Sequence, residues 1–507
     1  MSSTTWSARL ALLTAAACAA LAPGAPAQQS TSTSEAIVVD AHGPATPFPH
    51  FWEQMFGSGR ANLALRSEYR ADLRLVRQIT GFRYVRFHAI LDDENGVYSE
   101  DQQGHPIYNW SYVDRIYDGL LAEGVRPFVE ISFMPNKLAA RADYQGFWYR
   151  PNISPPADYG KWDALIGAFA QHLVERYGID EVAQWYFEVW NEPNIGFWGG
   201  VPPQKTYFEL YDHTARALKA VSPRLRVGGP ASAQAAWIPD MIQHSVEDHV
   251  PLDFVSTHVY GDDSVENVFH DQRTVAPHQM VCAAVDKVHD EILRSARPDI
   301  PLIWSEYNAS YANYQDITDS IYMGPWLADT ISRCDGKTQM MSYWTFSDVF
   351  EEQGVIKTPF YGGFGIVAED GIPKPAYDAF ELLHELGDER LAAPADEALV
   401  TRRADGTLVV AVWNLVEPEA AGSEETVTLE LKGVRDDAWA EIRRVDTTHG
   451  DTLDAWKKMG SPKYPSHEQI EELRRAAQTG APEDVEVRDH RLTLTLPPMG
   501  LAVLEVR

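Results

Sequence analysis

Along this chain, short runs that are apolar on both faces alternate with longer stretches that are apolar at every third or fourth position. The short runs are residues 51–56, 83–88, 125–133, 185–191, 225–229, 252–260, 301–307 and 340–346. Parallel strands have this character, because crossover helices cover both of their faces. The longer stretches predict those helices. Across residues 158–177, Trp162, Leu165, Ile166, Phe169, Leu173 and Tyr177 keep the i, i+3, i+4 spacing of one helix face. Val113, Ile116, Tyr117, Leu120 and Leu121 repeat it, and Gly124 stops the helix. Eight such strands alternating with helices predict an α/β fold, a (β/α)8 TIM barrel with long loops over residues 35–390.

The period changes after Leu386. Residues 398–402, 408–415, 425–431, 439–444, 491–496 and 501–506 alternate apolar and polar positions, with turn residues between them. This predicts a C-terminal antiparallel β-sandwich over residues 391–507, to which residues 35–45 contribute a strand. Residues 451–478 read as a helical insertion in it.

The amino terminus follows neither pattern. Arg9 precedes the small apolar run from Leu10 to Ala22, and Ala25-Pro26-Ala27 follows. Residues 1–27 therefore read as a secretory signal peptide and residues 28–34 as a polar linker, which predicts a secreted or periplasmic protein. The run is too short to span a membrane. Cys18 follows three alanines, which also matches lipoprotein processing. Beyond the leader only Cys282 and Cys334 remain, and a bridge and two buried thiols are both open. No Cys or His cluster has metal-ligand spacing, so no metal and no cofactor are expected.

Composition narrows the partners. A formal charge of −30 on 507 residues repels phosphate, so nucleic acid and anionic membrane are excluded as partners. A neutral ligand tolerates that charge. Fifteen Trp and 22 Tyr supply flat rings that stack on sugar faces, although large cores use them too. An oligomer is compatible with all of this.

The candidate chemistry lies at strand ends. Phe187-Glu188-Val189-Trp190-Asn191-Glu192-Pro193-Asn194 is an apolar run closed by a carboxylate, and Pro193 biases Glu192 towards an extended backbone. The run from Ile300 to Asn308 repeats the device with Glu306. One such acid is more often a buried, paired glutamate. Two, among Trp, Tyr and Asn, supply the acid and the nucleophile or base of glycosidic hydrolysis. Other predicted strand ends carry His88, Phe133, His258, Tyr260 and Trp344, which converge on one rim.

With these residues the chain resembles glycoside hydrolase family 39. The matching segments are Phe82 to His88, Pro127 to Pro135, Trp190 to Asn194 and Tyr343 to Glu352, followed by Gly362 to Ile366 and Lys374-Pro375. The resemblance implies that Glu192 is the general acid/base and Glu306 the nucleophile of a retaining mechanism. It implies that Asn191 bonds the sugar 2-hydroxyl. His88, His258, Tyr260, Glu351 and Glu352 would hold other hydroxyls, while Phe133 and Trp344 wall the first sugar site. Glu130 and Glu188, inside their strands, read as supporting residues. The family includes β-xylosidases and α-L-iduronidases. Glu351 and Glu352 would repel a uronate, so the expected substrate is a neutral xylo-oligosaccharide, cleaved from its non-reducing end by a β-D-xylosidase. Arabinosidase, β-glucosidase and endo-glycanase activities remain alternatives, as does non-catalytic carbohydrate binding. The bulky loops 98–108 and 148–156 favour a blocked pocket.

Overall fold

The computed structural model describes residues 36–393, 395–435 and 437–507. The leader and linker read in residues 1–34 lie outside them. Eight strands form a closed barrel: β1 (Met55–Gly57), β2 (Tyr84–Phe87), β3 (Arg126–Ile131), β4 (Tyr186–Val189), β5 (Arg226–Ser232), β6 (Phe254–Tyr260), β7 (Leu302–Asn308) and β8 (Met340–Tyr343). Every neighbouring pair is parallel, including β8 with β1. The first strand is shorter than its apolar run suggests. Phe51 and Trp52 lie before it in a turn, buried in the core.

Alternation along the strands builds the barrel interior in layers. Met55, Phe128, Tyr186, Phe254, Ile303 and Met340 form an apolar floor. Two residues further on, the inward positions turn polar: Arg86, Glu130, Glu188, Ser256, Ser305 and Ser342, all fully buried. One strand breaks the alternation. Between Trp304 and Glu306, β7 carries one more residue than β6, and it does so again relative to β8. This bulge lets Glu306 turn inward directly after the inward Ser305.

The sandwich pairs a seven-stranded antiparallel sheet with a three-stranded one. In the larger sheet, Leu399, Val409, Ala411, Trp413, Leu501 and Val503 face the barrel and share its core with Trp326 and Phe380. The alternate residues Val400, Val410, Val412 and Leu504 pack on Val427, Leu429 and Leu494 of the smaller sheet. The amino-terminal strand Ile37–Asp40 joins that smaller sheet, but parallel to Glu425–Lys432. Strand Glu389–Leu391, at the expected boundary, pairs with Ala45–Pro47 and Ala398–Arg402 inside the larger sheet. The insertion forms helices Thr452–Lys458 and His467–Ala476, whose Leu453, Trp456, Ile470 and Leu473 cover Phe360, Ala368 and Ile372 after β8. Cys282 and Cys334 are joined in a disulfide between helices Met280–Leu293 and Met323–Cys334.

Candidate active site

The site is built on the polar layer, and Arg86 is its centre. Its guanidinium is fully buried and holds four partners: it donates to Glu188 Oε2 (2.6 Å), Glu306 Oε1 (2.6 Å) and Asn191 Oδ1 (2.9 Å), and it is ion-paired with Glu130 Oε2 (2.8 Å). Rigid geometry and five N–H groups make arginine suited to this role. His88, two residues after Arg86 and just past the end of β2, has Nδ1 2.6 Å from Glu130 Oε2. Burial alone would lower the His88 pKa, but Glu130, then Glu306 and Glu352, outweigh burial and raise it.

The two glutamates sit above this layer. Glu306 is held from both sides, by Arg86 on Oε1 and by the Tyr260 hydroxyl, which donates to Oε2 at 2.5 Å. Glu192 Oε1 lies 3.1 Å from His258 Nδ1, and His258 Nε2 lies 3.0 Å from Ser305 Oγ. Burial, Arg86 and His88 hold His258 well below the usual histidine range, so it is neutral. Glu192 is pushed the other way: burial, then the charges of Glu306 and Asp263, raise its carboxyl well above the ordinary value. An oxygen of each glutamate and a nitrogen of His258 lie within 4.8 Å of one another. That spacing could also hold a cation, but Arg86 already balances the Glu306 charge. The two acids thus sit in different environments, Glu306 held by Arg86 and Tyr260 and Glu192 raised by burial and its acidic neighbours.

The backbone at Glu192 departs from the extended form that Pro193 favours. Its φ is +43°, a left-handed conformation, and Trp190 two residues earlier is at +71°. The Glu192 N–H donates to Ala231 O (2.8 Å), while Asn194 and Ala233 exchange two hydrogen bonds (2.8 and 3.0 Å). These contacts with the β5 loop over-determine the turn and outweigh the local preference.

The glutamates open into a cavity of about 330 Å3. Of the expected binding residues, His88, Asn191, Tyr260, Trp344 and Glu352 line it. Asn191 gives its oxygen to Arg86, which leaves its amide N–H groups for a ligand. Gly57 admits the Trp344 ring: a β-carbon there would fall 2.1 Å from Trp344 Cε3. Three expected residues lie elsewhere. His258 is fully buried beneath Glu192 and orients that acid instead of meeting a ligand. Phe133 is also fully buried, packed edge-to-face on Trp190 behind His88. Glu351 adopts φ +63°, which sends its carboxylate away from that of Glu352 and into ion pairs with Arg66 (2.6 Å) and Arg60 (3.2 Å). Burial would raise the Glu351 pKa, but Arg66 and Arg60 more than offset it and hold the carboxyl low.

This changes the electrostatic case against a uronate. Only Glu352 of the pair reaches the cavity, and burial drives its pKa up to about 8, with Glu306 and Glu130 adding to the rise against the pull of His88. Near neutrality it is a neutral acid that repels little. The stronger argument is that no Lys or Arg side chain is among the described residues lining the cavity, so a uronate carboxylate would find no partner.

Sequence reasoning missed Arg86, Gln234, Asp263, Phe147 and Phe197. An arginine inside an otherwise apolar strand, two residues before His88, was the available signal for Arg86. Phe147 and Phe197 come from loops after β3 and β4, their rings 5.2 Å apart, and nothing in their local sequence marks them. Of the two loops expected to block the pocket, 98–108 forms a hairpin that does not line it. The other lies just beyond Phe147, which does.

Comparison with known proteins agrees with this geometry. The family model described as Glycosyl hydrolases family 39 matches residues 35–489. A β-xylosidase of Geobacillus stearothermophilus is 40% identical over 436 residues, 84% of this chain and 86% of that protein. A β-xylosidase of Caldicellulosiruptor saccharolyticus is 37% identical over 440 residues, 84% of this chain and 88% of that protein. The crystal structure of a monomeric β-xylosidase from Caulobacter crescentus CB15 superposes with a TM-score of 0.85 at 33% identity, covering 94% of this chain and 99% of that one. With its barrel, its sandwich and its paired glutamates, the chain belongs to glycoside hydrolase family 39.

Proposed function

We propose that the protein is a retaining, exo-acting β-D-xylosidase, with Glu192 as acid/base and Glu306 as nucleophile. One observation carries the mechanism: two carboxylates with oxygens within 4.8 Å, one raised well above its ordinary pKa and one bound by Arg86 and Tyr260. Retaining pairs stand about 5–5.5 Å apart, whereas inverting pairs stand roughly 6.5–9.5 Å apart to admit a water. Glu306 attacks the anomeric carbon as Glu192 protonates the leaving oxygen. Water then attacks the glycosyl-enzyme, and Glu192 takes its proton.

Neutral His258 suits both steps. It accepts from protonated Glu192 at Nδ1 when Nε2 donates to Ser305, and the opposite tautomer donates to the Glu192 carboxylate. The Asn191 amide is placed for the sugar 2-hydroxyl, and Trp344 for a sugar face. The small cavity supports removal of single terminal sugars, and its lack of cations supports a neutral substrate. The named activities of the two bacterial relatives favour xylose among neutral sugars. The leader expected in residues 1–27 favours action outside the cytoplasm, which fractionation of the native host tests.

A panel of nitrophenyl glycosides tests the reading, with NMR of the first product. β-Xylose as the first-formed anomer and preference for the β-xyloside are expected. An α-configured product rejects retention. Glu306→Ala retaining more than about a tenth of the wild-type kcat rejects the nucleophile, because a nucleophile has no local substitute.

A further inference from the structure

The end of the barrel where the strands begin carries a cluster that hydrolysis does not use. His50 and Glu53 stand just before β1, and His384 closes helix Pro375–His384, the last helix before the sandwich. Glu53 Oε1 lies 2.9 Å from His50 Nδ1 and 2.9 Å from His384 Nδ1, while Glu53 Oε2 lies 2.8 Å from His384 Nδ1. Ligand atoms from all three residues fall within 4.8 Å of one another. No local spacing reveals the cluster, because His384 is 331 residues from Glu53.

The three side chains are held more firmly than a surface ion pair. The Glu53 carboxylate is buried, and Gly81 makes room for it: a β-carbon there would fall 3.0 Å from Glu53 Oε1. The His50 ring stacks on Trp52 (4.5 Å between centroids) and meets Phe48 edge-on (6.2 Å), so the direction of its Nδ1 is fixed. His50 Nε2 is buried and has no hydrogen-bond partner among the described residues. Nothing therefore ties the ring proton to one nitrogen, and with the proton on Nε2 the Nδ1 lone pair faces Glu53. The His384 side chain is 42% exposed, which opens a path from solvent and a fourth position for water. Arg403, whose charge acts on His384, is itself paired with Glu385 (2.6 Å) and Glu505 (3.1 Å), so its charge is locally balanced.

We propose that His50, Glu53 and His384 form a structural site for a divalent transition-metal cation, with Zn2+ as its probe. Two imidazoles and one carboxylate are a ligand set that Zn2+ takes with water in the fourth position, at roughly 2.0–2.2 Å from each nitrogen or oxygen. Around a tetrahedral ion, ligands at that range stand about 3.4 Å apart. Atoms now 2.8–2.9 Å apart therefore need to open by only about half an ångström. The bound ion joins the entry of the barrel to its last helix and takes no part in the reaction, so the site is independent of the glycosidase reading. It binds by displacing the proton between His384 and Glu53, which makes metal-free protein the reference for any titration of these groups.

The test uses the intact protein without a histidine tag, stripped with EDTA and titrated calorimetrically with Zn2+. One ion should bind with Kd below about 10 μM, and at about 100 times Kd the Tm should rise by about 2 °C or more. Mg2+ keeps to oxygen ligands, so at the same concentration its effect should be less than about half as large; a larger one overturns an imidazole site. His384→Ala removes one ligand, and His50→Phe removes another while keeping a ring on Trp52. Each should weaken Zn2+ binding more than about tenfold, because losing even an outer-shell partner of a metal costs about 10–100-fold. Both should keep the wild-type kcat/KM on the nitrophenyl glycoside that the panel selects, which shows that they are folded, since Glu192 and Glu306 lie at the other end of the barrel. Should a variant not fold, Zn2+-soaked crystals of the wild type decide: an anomalous peak among the three side chains supports the site, and peaks only elsewhere overturn it. Wild-type binding weaker than about 10 μM, or a loss below about tenfold in either folded variant, reduces the cluster to a glutamate hydrogen-bonded between two histidines.

Discussion

Esterification of Glu306 by a sugar should turn Glu192 from an acid into a base. In the free enzyme Glu192 is raised by burial first and then by the charge of Glu306, which the glycosyl-enzyme abolishes because its ester is neutral. With carboxylate oxygens within 4.8 Å, two unit charges at an effective dielectric constant near 20 interact by roughly 3 kcal/mol. Burial persists, so the Glu192 pKa should fall and still exceed that of an ordinary carboxylic acid. The intermediate can be trapped with a 2-deoxy-2-fluoro-β-xylosyl fluoride, and Glu192 followed by carbon-13 NMR of glutamate-labelled protein, assigned with Glu192→Gln. Glu306→Gln without sugar removes the same charge and should reproduce the fall, which separates charge from desolvation by the ligand. A shift smaller than about half a unit in both states would refute the electrostatic coupling on which the assignment of roles depends.

Three further outcomes follow from particular contacts. Because the Glu352 pKa is near 8, Glu352→Gln should keep kcat/KM within about threefold at pH 6, whereas Glu352→Ala should lose more than tenfold; equal losses would show that the charge is what matters. Gly57→Ala places a β-carbon 2.1 Å from the Trp344 ring and should raise KM at least tenfold, with a change in tryptophan fluorescence, in a protein that remains folded. Below the barrel, His384 and His50 both bond Glu53 (2.8–2.9 Å). The hydrogen bond to Glu53 raises the His384 pKa, and this stabilisation is complete below the unfolded value near 6.5 and disappears as pH rises through the folded one. Burial would raise the Glu53 pKa, but both histidines lower it, so its contribution is present above about 4.5 and disappears as pH falls through the lowered value. Tm should therefore peak between those limits, and His384→Ala should flatten the alkaline side; an unchanged alkaline decline would refute the linkage.

Much of the architecture was legible in the chain because it depends on periodicity. Strands covered on both faces must be apolar throughout, and half-exposed sandwich strands must alternate, so the barrel and the sandwich can be told apart before any contact is known. Glu192 and Glu306 were legible for a related reason: a carboxylate ending an apolar run is costly to bury unless it is used or paired. Tertiary structure decided where each side chain points. The alternation of β7 would set Ser305 and Glu306 on opposite faces, and only the bulge, visible in its pairing with β6 and β8, turns both inward. Glu351 and Glu352 are chemically equivalent in the sequence, yet one left-handed residue sends the first to Arg60 and Arg66 and the second to the cavity. Arg86 and its four partners come from β2, β3, β4 and β7 and the turn after β4, and no local pattern encodes such a convergence. Periodicity is a property of neighbours along the chain, whereas the site is a property of strands closed into a ring, where register and backbone sign set the direction of each group.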